Sequence, residues 1–318
     1  MMLYSNVAPT HRQFLGAARQ VMPYTHIEQI PSLRNPLLVA AFAGWNDAAE
    51  SATTAARLLV EKWSARRFAD IDPEEFYDFT SARPTVSVGP DHQRSLTWPA
   101  NSFFYHVDPA LERDVVVLVG IEPQLKWRAF TAEIMDVAKQ CDVGMIVTLG
   151  AMLGDVPHTR EVPLIGFATD PQLLERLRAL RVGATRYQGP TGIPGVIHDA
   201  CQQADLPAIS LWASVPHYLG ISQNPKVARA LVATVDALFT LGLDLDDIDR
   251  AVERFEQQVT AIIGTNPEAA AYLQDLERRA DAADESPEDA DLPPLPPSEM
   301  VIKDLEEFLK RRRRQEGD

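Results

Sequence analysis

Four apolar runs constrain this chain more than any other feature: PLLVAAFAG (Pro36–Gly44), DVVVLVGIEP (Asp114–Pro123), DVGMIVTLGAML (Asp142–Leu153) and LPAISLWASVP (Leu206–Pro216). None alternates polar with apolar residues, as a strand with one wet face would. Each therefore predicts a strand buried on both sides. Helical patterns separate them. Asn46 to Trp63 places Ala48, Ala52, Ala55, Ala56, Leu59 and Trp63 on one stripe. Lys126–Gln140, the stretch after GPTGIPG through Cys201, and Asn224–Leu241 read the same way. PLIGFAT (163–169) reads as a further strand, and Pro171–Leu180 as a helix with proline in its first turn. Buried strands alternating with helices predict an α/β fold with a mostly parallel sheet covered on both faces.

Two regions depart from that rhythm. EFYDFTSARPTVSV, RSLTWPA and NSFFYHVD are aromatic and β-branched, and are broken at Gly89-Pro90-Asp91 and Pro99-Ala100-Asn101. They predict short antiparallel strands. Past Gly242, LDLDDIDRAVERFEQQVTAII and PEAAAYLQDLERRADAA are joined by Gly264-Thr265-Asn266-Pro267, which predicts an αα-hairpin. The acidic, proline-rich ESPEDADLPPLPPSE reads as a linker. SEMVIKDLEEFLKRRRRQ reads as an amphipathic helix capped by Ser298, with Arg311–Arg314 at its electronegative end. The expected organisation is an N-terminal arm (1–30), an α/β core (31–242), a helical hairpin (243–283), a linker (284–298) and a C-terminal helix (299–318).

The 318 residues carry a net charge of −15, which argues against a nucleic-acid binder, since that needs a basic face. No apolar run approaches the roughly 20 residues that span a bilayer, and the first residues do not read as a signal peptide. Two cysteines, Cys141 and Cys201, suit buried thiols in a reducing cytoplasm. The sequence contains no GxGxxG, GxxxxGK[ST], GxSxG, HExxH or CxxC. Its seven histidines are scattered, so no metal site is legible and no cofactor is expected.

Candidate ligand-binding residues gather where buried strands end. Gly44-Trp45-Asn46-Asp47 joins a strand to a helix: Trp45 can stack, and Asn46 and Asp47 can hydrogen-bond a ligand. Asp47 and Glu50 also read as a capping-box-like D-x-x-E, the stronger of the two readings. Glu122, with Trp127 soon after, ends the second buried strand. In a parallel sheet it shares an edge with Asp47, where two carboxylates can act as acid and base. The loop Gly150–Glu161 carries His158 and Arg160. In GPTGIPG, the N–H groups of Gly192, Ile193 and Gly195 can form an anion nest, or the segment can be a tight turn with Thr191 as cap. His217 ends the last strand and can close the same cleft. No catalytic residue is assigned.

Taken in order, AGWNDA (Ala43–Ala48), GIEP (Gly120–Pro123) with Trp127, GAMLGDVPHTR (Gly150–Arg160), GPTGIPG (Gly189–Gly195) and WASVPHY (Trp212–Tyr218) resemble the PAC2 family, named for proteasome assembly chaperones, over roughly residues 30 to 280. The resemblance, to an actinobacterial-type member, implies a three-layer α/β/α fold of the phosphorylase/hydrolase-like class. It also implies self-association, as a trimer by analogy, or binding to subunits of a proteasome or another ring complex. Eukaryotic members dock α-type subunits, and some archaeal ones use a hydrophobic-Tyr-X terminus. Here Gln315-Glu316-Gly317-Asp318 departs from that pattern. Two functions follow as expectations. One is a homo-oligomeric, chaperone-like scaffold. The other is a hydrolase or nucleoside-phosphorylase-like transferase acting on a small polar substrate, which requires the candidate residues to share one void.

Overall fold

In the computed structural model the described residues are 24–285, apart from Pro90, Arg186, Ile221 and Ser222. The expected linker from 286 on, the C-terminal helix and most of the N-terminal arm lie outside them. The four apolar runs become β2 (Leu37–Ala43), β7 (Val115–Ile121), β8 (Met145–Gly154) and β11 (Ala208–Pro216). They form the parallel centre of a nine-stranded sheet, in the order β7-β2-β8-β11. β6 (Asn101–His106), β3 (Arg66–Ile71) and β1 (Thr25–Ile27) extend it antiparallel beyond β7. β9 (Leu164–Ala168) pairs antiparallel to β11 and carries the two-residue β10 (Gly183–Ala184). Among the described residues, β4 (Thr85–Val88) and β5 (Arg94–Thr97) pair only with each other, as a separate ribbon.

Side-chain alternation along the strands builds two cores. Leu37, Val39 and Ala41 of β2 face α1 (Ser51–Lys62) and α5 (Pro225–Phe239). Leu38, Ala40 and Phe42 face α2 (Trp127–Gln140) and α4 (Ile193–Gln203). The result is three layers, α/β/α. Cys141 and Cys201 lie in the second core, where burial pushes their thiols up to about 11 and about 12. α3 (Pro171–Ala179) packs on β9, and Asp170 caps it by accepting the Gln172 N–H.

α6 (Asp246–Ile263) and α7 (Pro267–Glu285) form the expected hairpin, which packs on Tyr218 and Leu219 just after β11. Three details differ from the sequence reading. The helix expected from Asn46 opens as a 3-10 turn at Ala48–Glu50 and becomes α-helical only at Ser51. β3 arises from RRFADI, whose charged start hides a half-buried strand with a bulge at Phe68. His217, expected to close a cleft at the end of the last strand, is itself buried at 7% exposure.

Candidate functional site

The chain leaves β2 toward α1 on one face and leaves β7 toward α2 on the other. These neighbours therefore make a topological switch point, the place where open α/β sheets hold ligands. Gly44, at φ 141°, makes the exit turn that L residues resist. Trp45 then projects at 66% exposure, while Asn46 turns inward at 0%. Asn46 donates from Nδ2 to the Phe42 carbonyl at 2.9 Å, and its Oδ1 has no hydrogen-bond partner among the described residues. The Asn46 carbonyl accepts the Ala151 N–H at 2.9 Å, stitching the loop to β8.

Asp47 works for the helix. Its Oδ1 accepts the Ala52 N–H at 2.7 Å and its Oδ2 accepts the Thr53 hydroxyl at 2.5 Å. Burial raises its pKa, and these bonds partly offset the rise. The D-x-x-E capping box does not form. Ala49 and Glu50 take consecutive left-handed conformations (φ 54° and 51°), and the Glu50 carboxylate reaches Gln223 instead. Asp47, the expected acid–base partner of Glu122, has both carboxylate oxygens engaged by the start of α1.

Glu122 lies across the switch point. Its Oε1 accepts the Ile193 N–H at 2.8 Å at the start of α4, and the Trp45 N–H also donates to its carboxylate. Burial raises its pKa above the usual carboxylate range. A Cβ on Gly192 would lie 2.8 Å from Glu122 Oε1 and 2.9 Å from Asn46 Oδ1, so this approach requires glycine. Two of the three N–H groups expected to form an anion nest at Gly192, Ile193 and Gly195 are already used. The Ile193 N–H is held by Glu122, and the Gly195 N–H by the Gly192 carbonyl at 3.0 Å. A carboxylate of the chain itself stands where a phosphate would bind. Thr191 makes no cap, and Trp127 packs into the α2–α4 core.

The other candidates point to the helical hairpin. His158, 2% exposed, shares Tyr218: its N–H donates to the phenol oxygen at 2.8 Å, and Nδ1 lies 2.9 Å from it. Its Nε2 is 3.1 Å from Thr260 Oγ1 on α6. Burial first, then the Lys226 ammonium, pushes His158 down to about 4, so the ring is neutral. Lys226 donates to the His158 carbonyl at 2.7 Å and to Glu256 at 2.5 Å. Arg160 holds Asp281 through Nε (2.7 Å) and Nη2 (2.9 Å), and Glu277 at 3.5 Å. His217 Nδ1 lies 3.2 Å from Asp155, and its Nε2 is 3.4 Å from the Tyr272 hydroxyl.

The candidates thus share one sheet edge but form two groups. Asn46, Glu122, Gly192 and Ile193 close on one another, with the Trp45 N–H also bound to Glu122. His158, Arg160 and His217 clamp α6 and α7. Sequence reasoning missed the second group's partners, Lys226, Glu256, Thr260, Tyr272, Glu277 and Asp281. They are ordinary polar positions on helices until the hairpin folds back. Among the described residues, no cluster of three or more His, Cys, Asp or Glu side chains could hold a metal ion.

The PAC2 family matches residues 41–263. The chain belongs to the PAC2 family. A PAC2 family protein from Streptomyces avermitilis MA is 39% identical, with 74% of this chain covering 99% of that structure at a TM-score of 0.68. A Mycobacterium tuberculosis proteasome-assembly chaperone homologue gives 38% identity with the same coverage and TM-score. Pyrococcus furiosus PbaB, an archaeal proteasome activator, shares the fold at 18% identity, 75% and 97% coverage, and a TM-score of 0.60. No curated protein matches. The residues matched by the PAC2 family include both the switch point and the loop and strand end that anchor the hairpin.

Proposed function

We propose that this PAC2 protein is an interaction protein: a proteasome-assembly-chaperone-like scaffold that self-associates and docks subunits of a proteasome or another ring complex. The likeness to the chaperone homologue over nearly that whole structure carries the reading. The chemistry of the strand ends supports it. The carboxylates, imidazoles and guanidinium that an enzyme would turn toward substrate are engaged in joining loop to strand and hairpin to core. Among exposed polar neighbours such as Gln124 and Lys126, the edge turns four large hydrophobic or aromatic side chains outward: Trp45, Leu125, Leu153 and Tyr187, all 47% exposed or more. Such a rim suits a protein surface better than a small polar substrate. Trp45 is its strongest anchor, because buried aromatics dominate docking energies. The same reading places the protein in the cytoplasm. Among the described residues, no helix is long and apolar enough to cross a membrane.

The test is capture of purified proteasome α-type subunits by the tagged full chain. Recovery of α-subunits, weakened about tenfold or more by Trp45→Ala, supports the docking role. Failure to recover them at micromolar concentrations of both proteins overturns it.

A further inference from the structure

The β4–β5 ribbon is anomalous in an otherwise well-covered fold. All eight of its strand residues are exposed, and among the described residues it joins no other strand. Its register sets Val86 opposite Leu96 and Val88 opposite Arg94, and sets Thr85 opposite Thr97 and Ser87 opposite Ser95. Opposed residues share a face, and faces alternate along a strand. One face is therefore wholly hydroxylic, with Ser87 and Ser95 joined at 2.6 Å. The other presents Val86 (47% exposed), Val88 (61%) and Leu96 (52%) together with the exposed Arg94, with Trp98 (46%) at the base against Phe79. A two-stranded ribbon is marginal in water by itself, and an apolar face of this kind needs cover.

We propose that the apolar face of this ribbon is the arm by which one copy of the chain grips the next. Charge selects a second copy as the occupant. The chain is strongly acidic at −15, whereas the segment 83–98 carries Arg83 and Arg94 against Asp91 alone. An arm of opposite sign to the body it lands on is attracted to it and steered. Ribbon-on-body contact is head-to-tail, which closes into a ring when the rotation allows. The proposal rests on the self-association reading above and assigns it a surface.

Analytical ultracentrifugation of the full chain decides both. The wild type is expected to sediment as a multiple of the chain mass. The double variant Val86→Asp/Leu96→Asp is expected to sediment as one copy, its dissociation constant raised about 100-fold, with unchanged circular dichroism. Thr85→Asp/Thr97→Asp, on the hydroxylic face, should keep the oligomer. A wild-type oligomer that survives both double substitutions overturns the arm and leaves self-association standing. A single-copy wild type overturns self-association and the arm together. Should the Val86/Leu96 variant not fold, hydrogen exchange of the wild type replaces it. Amides of 85–97 are expected to lose protection on dilution to the single copy, and equal exchange at both concentrations overturns the arm.

Discussion

Gly192 occupies a sterically closed position. Its backbone (φ −90°, ψ −179°) is open to any residue, so the requirement for glycine comes from Glu122 and Asn46 alone. Gly192→Ala should destabilise the chain by about 1–3 kcal/mol through that contact, read as a lower denaturant midpoint at unchanged slope. Asp47→Ala removes acceptors from two N–H groups and the buried Thr53 hydroxyl, and should cost about 2 kcal/mol on the same measurement. Glu122→Gln should be tolerated at pH 7. One amide oxygen still accepts the Ile193 N–H and the carboxylate charge is gone, so the cost is limited to a weaker acceptor for the Trp45 N–H. The sign follows from burial. With its folded pKa raised, Glu122 adds stability at acid pH that is lost as pH rises through the folded value, and the amide variant should lose that dependence.

At the scale of elements, the hairpin is held by groups that a pH titration can address. His158 is neutral in the fold, at about 4 against an ordinary value near 6.5. Between those values the unfolded chain takes up a proton that the folded chain refuses. Stability should therefore fall as pH drops from 6.5 toward 4, by at most about 1.4 kcal/mol per unit from this one group. His158→Gln should flatten that slope in urea melts at pH 7.0 and 5.0; an unchanged slope would show that some other group sets it. The elements themselves were largely legible. Runs such as VVVLVG and the 3.6-residue stripes of α1 and α5 encode burial directly, because a strand between two helix layers has no wet face. β3 was not legible, since Arg66, Arg67 and Asp70 mask the inward Phe68 and Ile71. Side-chain purpose was half legible. GWND and GIEP marked the switch point, yet that Glu122 caps α4 across a gap of 71 residues is a property of sheet order, which no local pattern states.

For the whole molecule, the switch point is bridged by the chain's own side chains, while exposed apolar side chains stand at the carboxyl edge and on the ribbon. If the ribbon joins copies through charge, association should weaken with salt. The oligomer's dissociation constant should rise severalfold between 50 and 500 mM NaCl, as charges on the meeting surfaces are screened. An oligomer indifferent to salt would leave the apolar face as its sole adhesive. The two thiols have a practical bearing here. Cys141 and Cys201 are shielded and strongly shifted toward the protonated form, so native protein should resist alkylating reagents. One engineered sulfhydryl at the ribbon tip would then be the sole reactive handle on each subunit, ready for a spin label or dye that reports spacing between neighbours without first deleting any native residue.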